Sequence, residues 1–387
     1  MSERNAKRVL LVSRNMPPLV GGMERLNWHA VDELAKRGPV TVVAPRGAAA
    51  FAPAGIQFVE VPGKPLAAFL AASALQSVRA ARRVQPDVVV AGSGLMAPAA
   101  EVAAAATGAA CMAYVHGLDV LIKNRAYRSL WLPSIRRMDR LVANSGFTAD
   151  ACVRIGARSD RIGVVHPGVG PVTASGGRDH AGQAFRERYG LGDGLCLISI
   201  GRLTARKGLR EFVSAVLPLI VAELPTARFV LVGGEASDAL HANGHSAHEL
   251  VCIAEASGVI DNLRIVGRLD DQEIEGAWAA SDVHVFPVLN IPGDPEGFGM
   301  VAIEAAARGI PTVAYAVGGV PDAVEDGVSG ALVQEGDALA FAAAVLKAGV
   351  GAYQAGAMHA HAAKFGWGRF GELLAEQVDL AIASATR

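Results

Sequence analysis

Cysteine is scarce in this chain and never paired by spacing. Cys111, Cys152, Cys196 and Cys252 include no Cys-x-x-Cys, which excludes a zinc ribbon or disulfide frame and suits free thiols in a reducing compartment. A surplus of either charge is missing too: 36 Lys and Arg stand against 37 Asp and Glu. No global field therefore draws nucleic acid, no nucleic-acid partner is expected, and an anionic ligand needs a local site. No run of about 18 apolar residues occurs, as a membrane span would need. The charged start MSERNAKR leads straight into a strand pattern, without the apolar segment of a signal peptide. These absences predict a cytoplasmic protein, at the inner face of the membrane if it touches lipid at all.

What is present points to packed α/β domains. At 387 residues the chain is too long for one core, and 51% hydrophobic against 19% charged residues favours well-buried interiors over disorder. Short β-branched runs alternate with alanine-rich helical stretches, the pattern of parallel sheets covered by helices. The first half reads as strands at Arg8–Ser13, Val40–Ala44, Asp87–Ala91, Cys111–Val115, Arg140–Ala143 and Ile162–Val165, with helices such as Glu24–Arg37 and Leu66–Arg83 between them. The second reads as strands at Leu195–Ile200, Arg228–Val232, Leu263–Val266, Val283–Phe286, Thr312–Tyr315 and Ala331–Val333. The expected organisation is a Rossmann-like domain over 1–170, a Gly/Pro/Ser-rich linker over 171–184, and a second Rossmann-like domain over 185–365. A last helix, 366–387, is expected to pack back on the first domain. Two such parallel sheets are expected to face a central cleft at the carboxyl ends of their strands, where open α/β sheets bind ligands.

Four segments carry candidate chemistry. In PGDPEGFGMVAIEAAA, Glu296 precedes a tight turn through Gly297 and Gly299, and Glu304 lies within the helix that follows. Two carboxylates so placed can grip two hydroxyl-bearing parts of one ligand, while the glycines admit close approach to the backbone. Glu304 interrupts an apolar run and so needs a partner. In SIGRLTARKGLREFV, a strand ends at Gly201-Arg202 and Lys207 opens the next helix, a metal-free arrangement for a diphosphate; two solvated surface charges are the plain alternative. Gly21-Gly22, between the first strand and the first long helix, can turn backbone N–H groups towards a phosphate or serve only as a tight turn. His116 closes an apolar strand, with Asp119 in the next loop, and Asn144-Ser145 repeat that placement one strand later. These residues suit sugar and acceptor contacts, although a histidine at a strand end is more often structural.

With these motifs the chain resembles family-4 retaining glycosyltransferases of the GT-B fold. That group contains bacterial phosphatidylinositol mannosyltransferases, sucrose-type synthases and many surface-polysaccharide enzymes. The likeness covers nearly the whole chain, and its most specific element is the E-x7-E spacing of Glu296 and Glu304. The resemblance implies that Glu296 lies against the donor sugar and Glu304 holds the nucleotide ribose, with Gly297, Phe298 and Gly299 in the same donor-binding stretch. It implies that Arg202 and Lys207 bind the diphosphate, Gly21 and Gly22 line the phosphate side, and His116 sits beside the transferred sugar. His116, Glu296, Arg202 and Lys207 are thus the expected catalytic set, and Asp119, Asn144 and Ser145 the expected acceptor contacts. The chain departs from the family where Asp322, in GGVPD, replaces the commoner glutamate; no role is assigned to it. The implied reaction moves a hexose from a nucleotide-diphosphate sugar, GDP-mannose ahead of a UDP-sugar, to a lipid-linked or polysaccharide acceptor, without cofactor or metal.

Three further features carry readings of their own. AGSGLMA, residues 91–97, satisfies G-x-G-x-x-A and supports the rival reading of an NAD or FAD oxidoreductase; it falls late in the domain, with no acid some 20 residues on. A non-catalytic sugar-nucleotide binding protein is the third class. His241, His245, His248 and Cys252 have ligand-like spacings in a polar loop that reads as an exposed insertion. Residues 121–140 mix six basic residues with Tyr127, Leu130, Trp131, Leu132 and Ile135. They predict a peripheral membrane contact, or else a packed helix with a solvated basic face.

Overall fold

The structure is a computed structural model that describes residues 6–171, 180–235 and 246–385. The chain forms two compact units, Met1–Gly168 with Gly366–Arg387, and Val169–Phe365. The first holds strands β1 (Val9–Val12), β2 (Val40–Pro45), β3 (Gln57–Val61), β4 (Val88–Ala91), β5 (Ala110–Val115), β6 (Arg140–Ala143) and β7 (Ile162–Val164). They form one sheet in the order β3-β2-β1-β4-β5-β6-β7, parallel throughout. The second unit holds β8 (Cys196–Ile200), β9 (Arg228–Val232), β10 (Leu263–Gly267), β11 (Val283–Phe286), β12 (Thr312–Tyr315) and β13 (Gly330–Val333). Their order is β10-β9-β8-β11-β12-β13, again parallel. The expected α/β class with two Rossmann-like domains is the one found.

Strand periodicity explains why both faces of each sheet are covered. Side chains alternate across a strand, so Val9 and Leu11 enter one hydrophobic cluster of the first unit and Leu10 and Val12 the other. Leu197 and Ile198 divide in the same way in the second unit. Because neither face meets water, these strands read as continuous apolar runs. Strand β3 was missed for the complementary reason. QFVEV at the sheet edge is half-exposed, and its polar residues Gln57 and Glu60 hide it among loops.

The last helix, Trp367–Ala385, belongs to the first unit. Phe370, Leu374, Val378 and Ala381 recur at helical spacing and join the cluster that Val31 and Leu34 of the helix Gly22–Ala35 also enter. The Trp367 ring stacks on His29 with centroids 3.7 Å apart. Burial, helped by the Arg25 charge, brings the His29 imidazole down to about 4. The expected linker ends differently: a helix, His180–Tyr189, starts inside it and belongs to the second unit.

Candidate active site

In the second unit the strand order reverses between β8 and β11, which pair side by side. Open α/β sheets form their ligand crevice at the carboxyl ends of such a strand pair. After β8 the chain turns at Gly201-Arg202 and makes a short 3-10 turn, Ala205–Lys207. After β11 it runs through the loop that carries Asp294 and Glu296. The two loops are tied by the Leu289 N–H, which donates to the Arg206 carbonyl over 2.8 Å.

Four charged side chains meet there. Lys207 Nζ donates to Glu296 Oε2 over 2.7 Å, Arg206 Nε reaches the same oxygen at 3.4 Å, and an Arg206 terminal nitrogen reaches Asp294 Oδ1 at 3.2 Å. Lys207 and Glu296 are nearly buried, with 11% and 13% of their side-chain surface exposed. Burial pushes the Glu296 carboxyl up, but the Lys207 and Arg206 charges outweigh it and hold the group at about 2. Burial lowers the Lys207 ammonium, with Arg206 and Arg202 adding to the effect and Glu296 opposing it. Burial also opposes the Arg206 charge, but Glu296 and Asp294 raise its affinity for the proton overall. Arg202 is half-buried and has no carboxylate partner among the described residues. Arg206 and Asp294 were not chosen from the sequence; their signal was the cation doublet Arg206-Lys207 and the carboxylates spaced by two at Asp294 and Glu296.

Beneath Lys207 lies a column of rings. Its ammonium sits 4.5 Å from the Phe286 centroid, and Phe286 stacks on His284, which meets Trp278 edge-on. His284 is fully buried, with Nδ1 3.0 Å from Thr312 Oγ1 and no partner for Nε2 among the described residues. Burial, and then the Lys207 charge, lower its imidazole to about 3. A histidine that stays neutral when folded but is protonated when unfolded costs stability as pH falls below its ordinary value near 6.5. We expect the loss of stability between pH 6.5 and 4.5 to shrink by about 2–3 kcal/mol in His284→Gln. Urea unfolding of both proteins at the two pH values checks this; an undiminished loss in the variant refutes it.

The Glu296 loop is held from behind. The Gly319 N–H donates to the Glu296 carbonyl over 2.9 Å, and a Cβ on Gly318 would stand 2.5 Å from that carbonyl oxygen. A Cβ on Gly319 would collide with the Gly297 carbonyl. The Gly-Gly of GGVPD is therefore the seat of the carboxylate loop. Gly299, at φ 97°, caps the helix Met300–Ala307, and a Cβ there would lie 2.8 Å from the Phe286 ring. The Phe298 ring is buried in the core against Phe365, so within the donor-binding stretch this residue would serve through its backbone. Glu304 is half-buried on the same helix, and its carbonyl accepts a hydrogen bond from Arg308.

In the first unit the order reverses between β1 and β4. Gly21 and Gly22 stand at the start of the 14-residue helix Gly22–Ala35. Inside its first turn Glu24 accepts from the Asn15 amide over 2.7 Å, a buried pair that the sequence reading did not single out. His116 is buried at the end of β5, with Nε2 3.1 Å from the Gly92 carbonyl. Asp119 accepts from the His116 backbone N–H over 3.0 Å. Ser145 caps the helix Gly146–Arg154 by accepting from the Thr148 N–H. The Asp119 carboxylate and Ser145 hydroxyl thus already hold the turns on which they sit. Asn144 is buried with Oδ1 unpartnered among the described residues, as is Ser93 Oγ after β4.

The AGSGLMA glycines have packing tasks: a Cβ on Gly92 would strike Asn27, and one on Gly94 would lie 2.6 Å from the Asp119 Cβ. His241 and His245 lie outside the described residues. His248 Nδ1 and Cys252 Sγ are 3.4 Å apart on an exposed helix face. No helix among the described residues is long and apolar enough to cross a membrane.

Comparison with known proteins agrees with this fold. Residues 20–171 match the model of Glycosyltransferase Family 4, and residues 195–348 match that of Glycosyl transferases group 1. D-inositol 3-phosphate glycosyltransferase 1 of Catenulispora acidiphila is 35% identical over 243 residues, covering 60% of this chain and 55% of the relative. D-inositol 3-phosphate glycosyltransferase of Mycolicibacterium smegmatis is 33% identical over 255 residues, 64% of this chain and 53% of the relative. The chain thus spans about half the length of the curated relatives it matches. Among solved structures, a glycosyltransferase from Rickettsia africae superposes with a TM-score of 0.78 at 17% identity, covering 98% of this chain and 99% of that one. Anabaena HepE in complex with UDP and glucose superposes with 0.75 at 19% identity, covering 97% and 99%. At such identities the likeness is one of fold.

Proposed function

We propose that this chain, which belongs to the family-4 glycosyltransferases of the GT-B fold, transfers a hexose from a nucleotide-diphosphate sugar to an acceptor hydroxyl with retention of anomeric configuration. The observation that carries the reading is the pairing of Lys207 with Glu296 beside Arg202, which has no carboxylate partner among the described residues, at the β8/β11 reversal. An ammonium has three N–H donors, and Lys207 gives one to Glu296, so it can serve a diphosphate without leaving its partner. Among the described residues Glu296 Oε1 accepts no hydrogen bond and is available to a sugar hydroxyl. Glu304 is assigned to the ribose.

As the sugar–oxygen bond breaks, negative charge grows on the departing phosphate, where Arg202 and Lys207 stabilise it. The acceptor oxygen bonds the anomeric carbon and gives its proton to that phosphate oxygen, and because the two cations neutralise the departing charge no metal is called upon. On the acceptor side, the contact proposed is Asn144 Oδ1, unpartnered among the described residues, while His116 offers Nδ1 to the transferred sugar, since Nε2 faces the Gly92 carbonyl.

For the donor, GDP-mannose stands beside a UDP-sugar, the latter supported by the UDP and glucose bound to HepE. For the acceptor, a phosphorylated cyclitol, supported by the relatives' names, stands beside a lipid-linked or polysaccharide acceptor. A thermal-shift series with UDP, GDP, dTDP, ADP and their sugars tests the reading, because a ligand of the native state raises its apparent stability. No shift with any nucleotide would sink it. The anomeric coupling of the product by proton NMR then decides retention.

A peripheral membrane contact is proposed with a changed residue set. The Trp131 indole N–H donates to the Leu95 carbonyl and its ring stacks on Tyr127, Arg137 pairs with Glu101, and Arg140 bonds Gln377. Trp131 is therefore occupied in packing and is no lipid anchor. Leu130, 63% exposed on the helix Arg125–Arg137, with Lys123, Arg125, Arg128 and Arg136, is what a bilayer would meet. Each basic residue near an anionic surface is worth about 1 kcal/mol and is screened by salt. Pelleting with anionic liposomes should then fall steeply as ionic strength rises and vanish in Arg128→Glu/Arg136→Glu, with nucleotide binding retained. Wild-type protein left in the supernatant at low salt disproves the contact.

A further inference from the structure

The charged set of the second unit is balanced: the Lys207 and Arg206 cations face the Glu296 and Asp294 carboxylates. A diphosphate breaks that balance. It adds negative charge on the Lys207 side, so the Lys207 charge is shared between Glu296 and the incoming phosphates. Glu296, in largely desolvated surroundings, would then draw a proton unless a second cation stayed with it. Arg206 is placed for this. Its Nε faces Glu296 Oε2, while a terminal nitrogen is anchored by Asp294 at 3.2 Å. Its main chain is fixed as well, since its carbonyl accepts from the Leu289 N–H. With both cations on Oε2, Oε1 keeps one direction.

We infer that Arg206, clamped by Asp294, is the positioning residue that keeps Glu296 ionised and aimed while Lys207 serves the diphosphate of the donor. The inference rests on the donor-site reading above. The groups facing Glu296 are Lys207 and Arg206 from the loop after β8, Asp294 on its own loop, and the Gly319 amide from behind. The Arg202 charge bears on Lys207.

The test compares Arg206→Met, Asp294→Asn and Arg206→Lys with wild type, by titration calorimetry with the nucleoside diphosphate that gives the largest thermal shift and by kcat against pH. In Arg206→Met, kcat at neutral pH should fall about tenfold because Glu296 loses its aim, and the acid limb should move up as its carboxyl rises. The nucleoside-diphosphate Kd should stay within about threefold, against a far larger change in Lys207→Ala. Asp294→Asn, the milder change in case Arg206→Met folds poorly, should move kcat and the acid limb the same way by less, and Arg206→Lys should restore part of both. If Arg206→Met loses nucleoside diphosphate as severely as Lys207→Ala, Arg206 is a phosphate ligand and the inference is wrong. If kcat and the acid limb match wild type in both variants, the network is only structural. A wild type without nucleotide binding or turnover overturns the donor-site reading and this inference together, whereas an active wild type with unaltered variants overturns this inference alone.

Discussion

Arg202→Ala and Lys207→Ala will each weaken binding of nucleoside diphosphate by about 2–5 kcal/mol, the cost of losing a charge-assisted contact to a desolvated anion. The two losses differ in kind. Arg202 has no carboxylate partner among the described residues, so its removal leaves the folded protein almost untouched and the calorimetric change reports the lost phosphate contact alone. Lys207 is buried and paired with Glu296, so its removal also strands a carboxylate that only Arg206 then neutralises. A buried carboxylate short of a counter-charge is expensive, and the thermal midpoint of Lys207→Ala should fall where that of Arg202→Ala does not. Isothermal titration with the preferred diphosphate, together with a melting curve of each variant, checks both parts. Unchanged affinity in both variants would remove the diphosphate assignment.

Glu296→Gln will lower kcat by about 10²-fold, or about 2.7 kcal/mol of transition-state stabilisation, while nucleoside-diphosphate affinity is kept or slightly improved. The sign of the binding effect follows from the geometry: loss of the Glu296 charge releases the Lys207 ammonium from its 2.7 Å ion pair and leaves it wholly to the phosphates. Glu304→Gln, assigned to the ribose, should instead weaken nucleotide and sugar nucleotide alike. Steady-state kinetics and calorimetry on the two variants separate these outcomes, and the reverse pattern would show that the two glutamates have exchanged roles. The Glu296 pair also bears on acid stability. Its carboxyl is held near 2 when folded against an ordinary value near 4.5, so the stability it contributes is full above 4.5 and is lost as pH falls towards 2.

Much of this was legible in the residues. Val283–Phe286, Thr312–Tyr315 and the helix Met300–Ala307 appear where apolar runs and Gly299 placed them, because strands buried on both faces leave no other reading. Edge strand β3 was not legible, since a half-exposed strand carries the composition of a loop. The carboxylate Glu296 and the cation Lys207 could be named from their loops, but the 88 residues of chain between these two residues hide which partners they choose.

By itself, then, the sequence determined the α/β class, the parallel sheets, the family and the glycines around Glu296, because burial, turn geometry and motif spacing are local properties. Only the tertiary structure decided that Lys207 binds Glu296, that Arg206 and Asp294 complete the set, and that Phe298 and Trp131 belong to packing. It alone showed that Gly318 and Gly319 seat the carboxylate loop. Each of these depends on contacts between segments far apart in the chain, whose strengths are set by desolvation and by distances that no residue pattern contains.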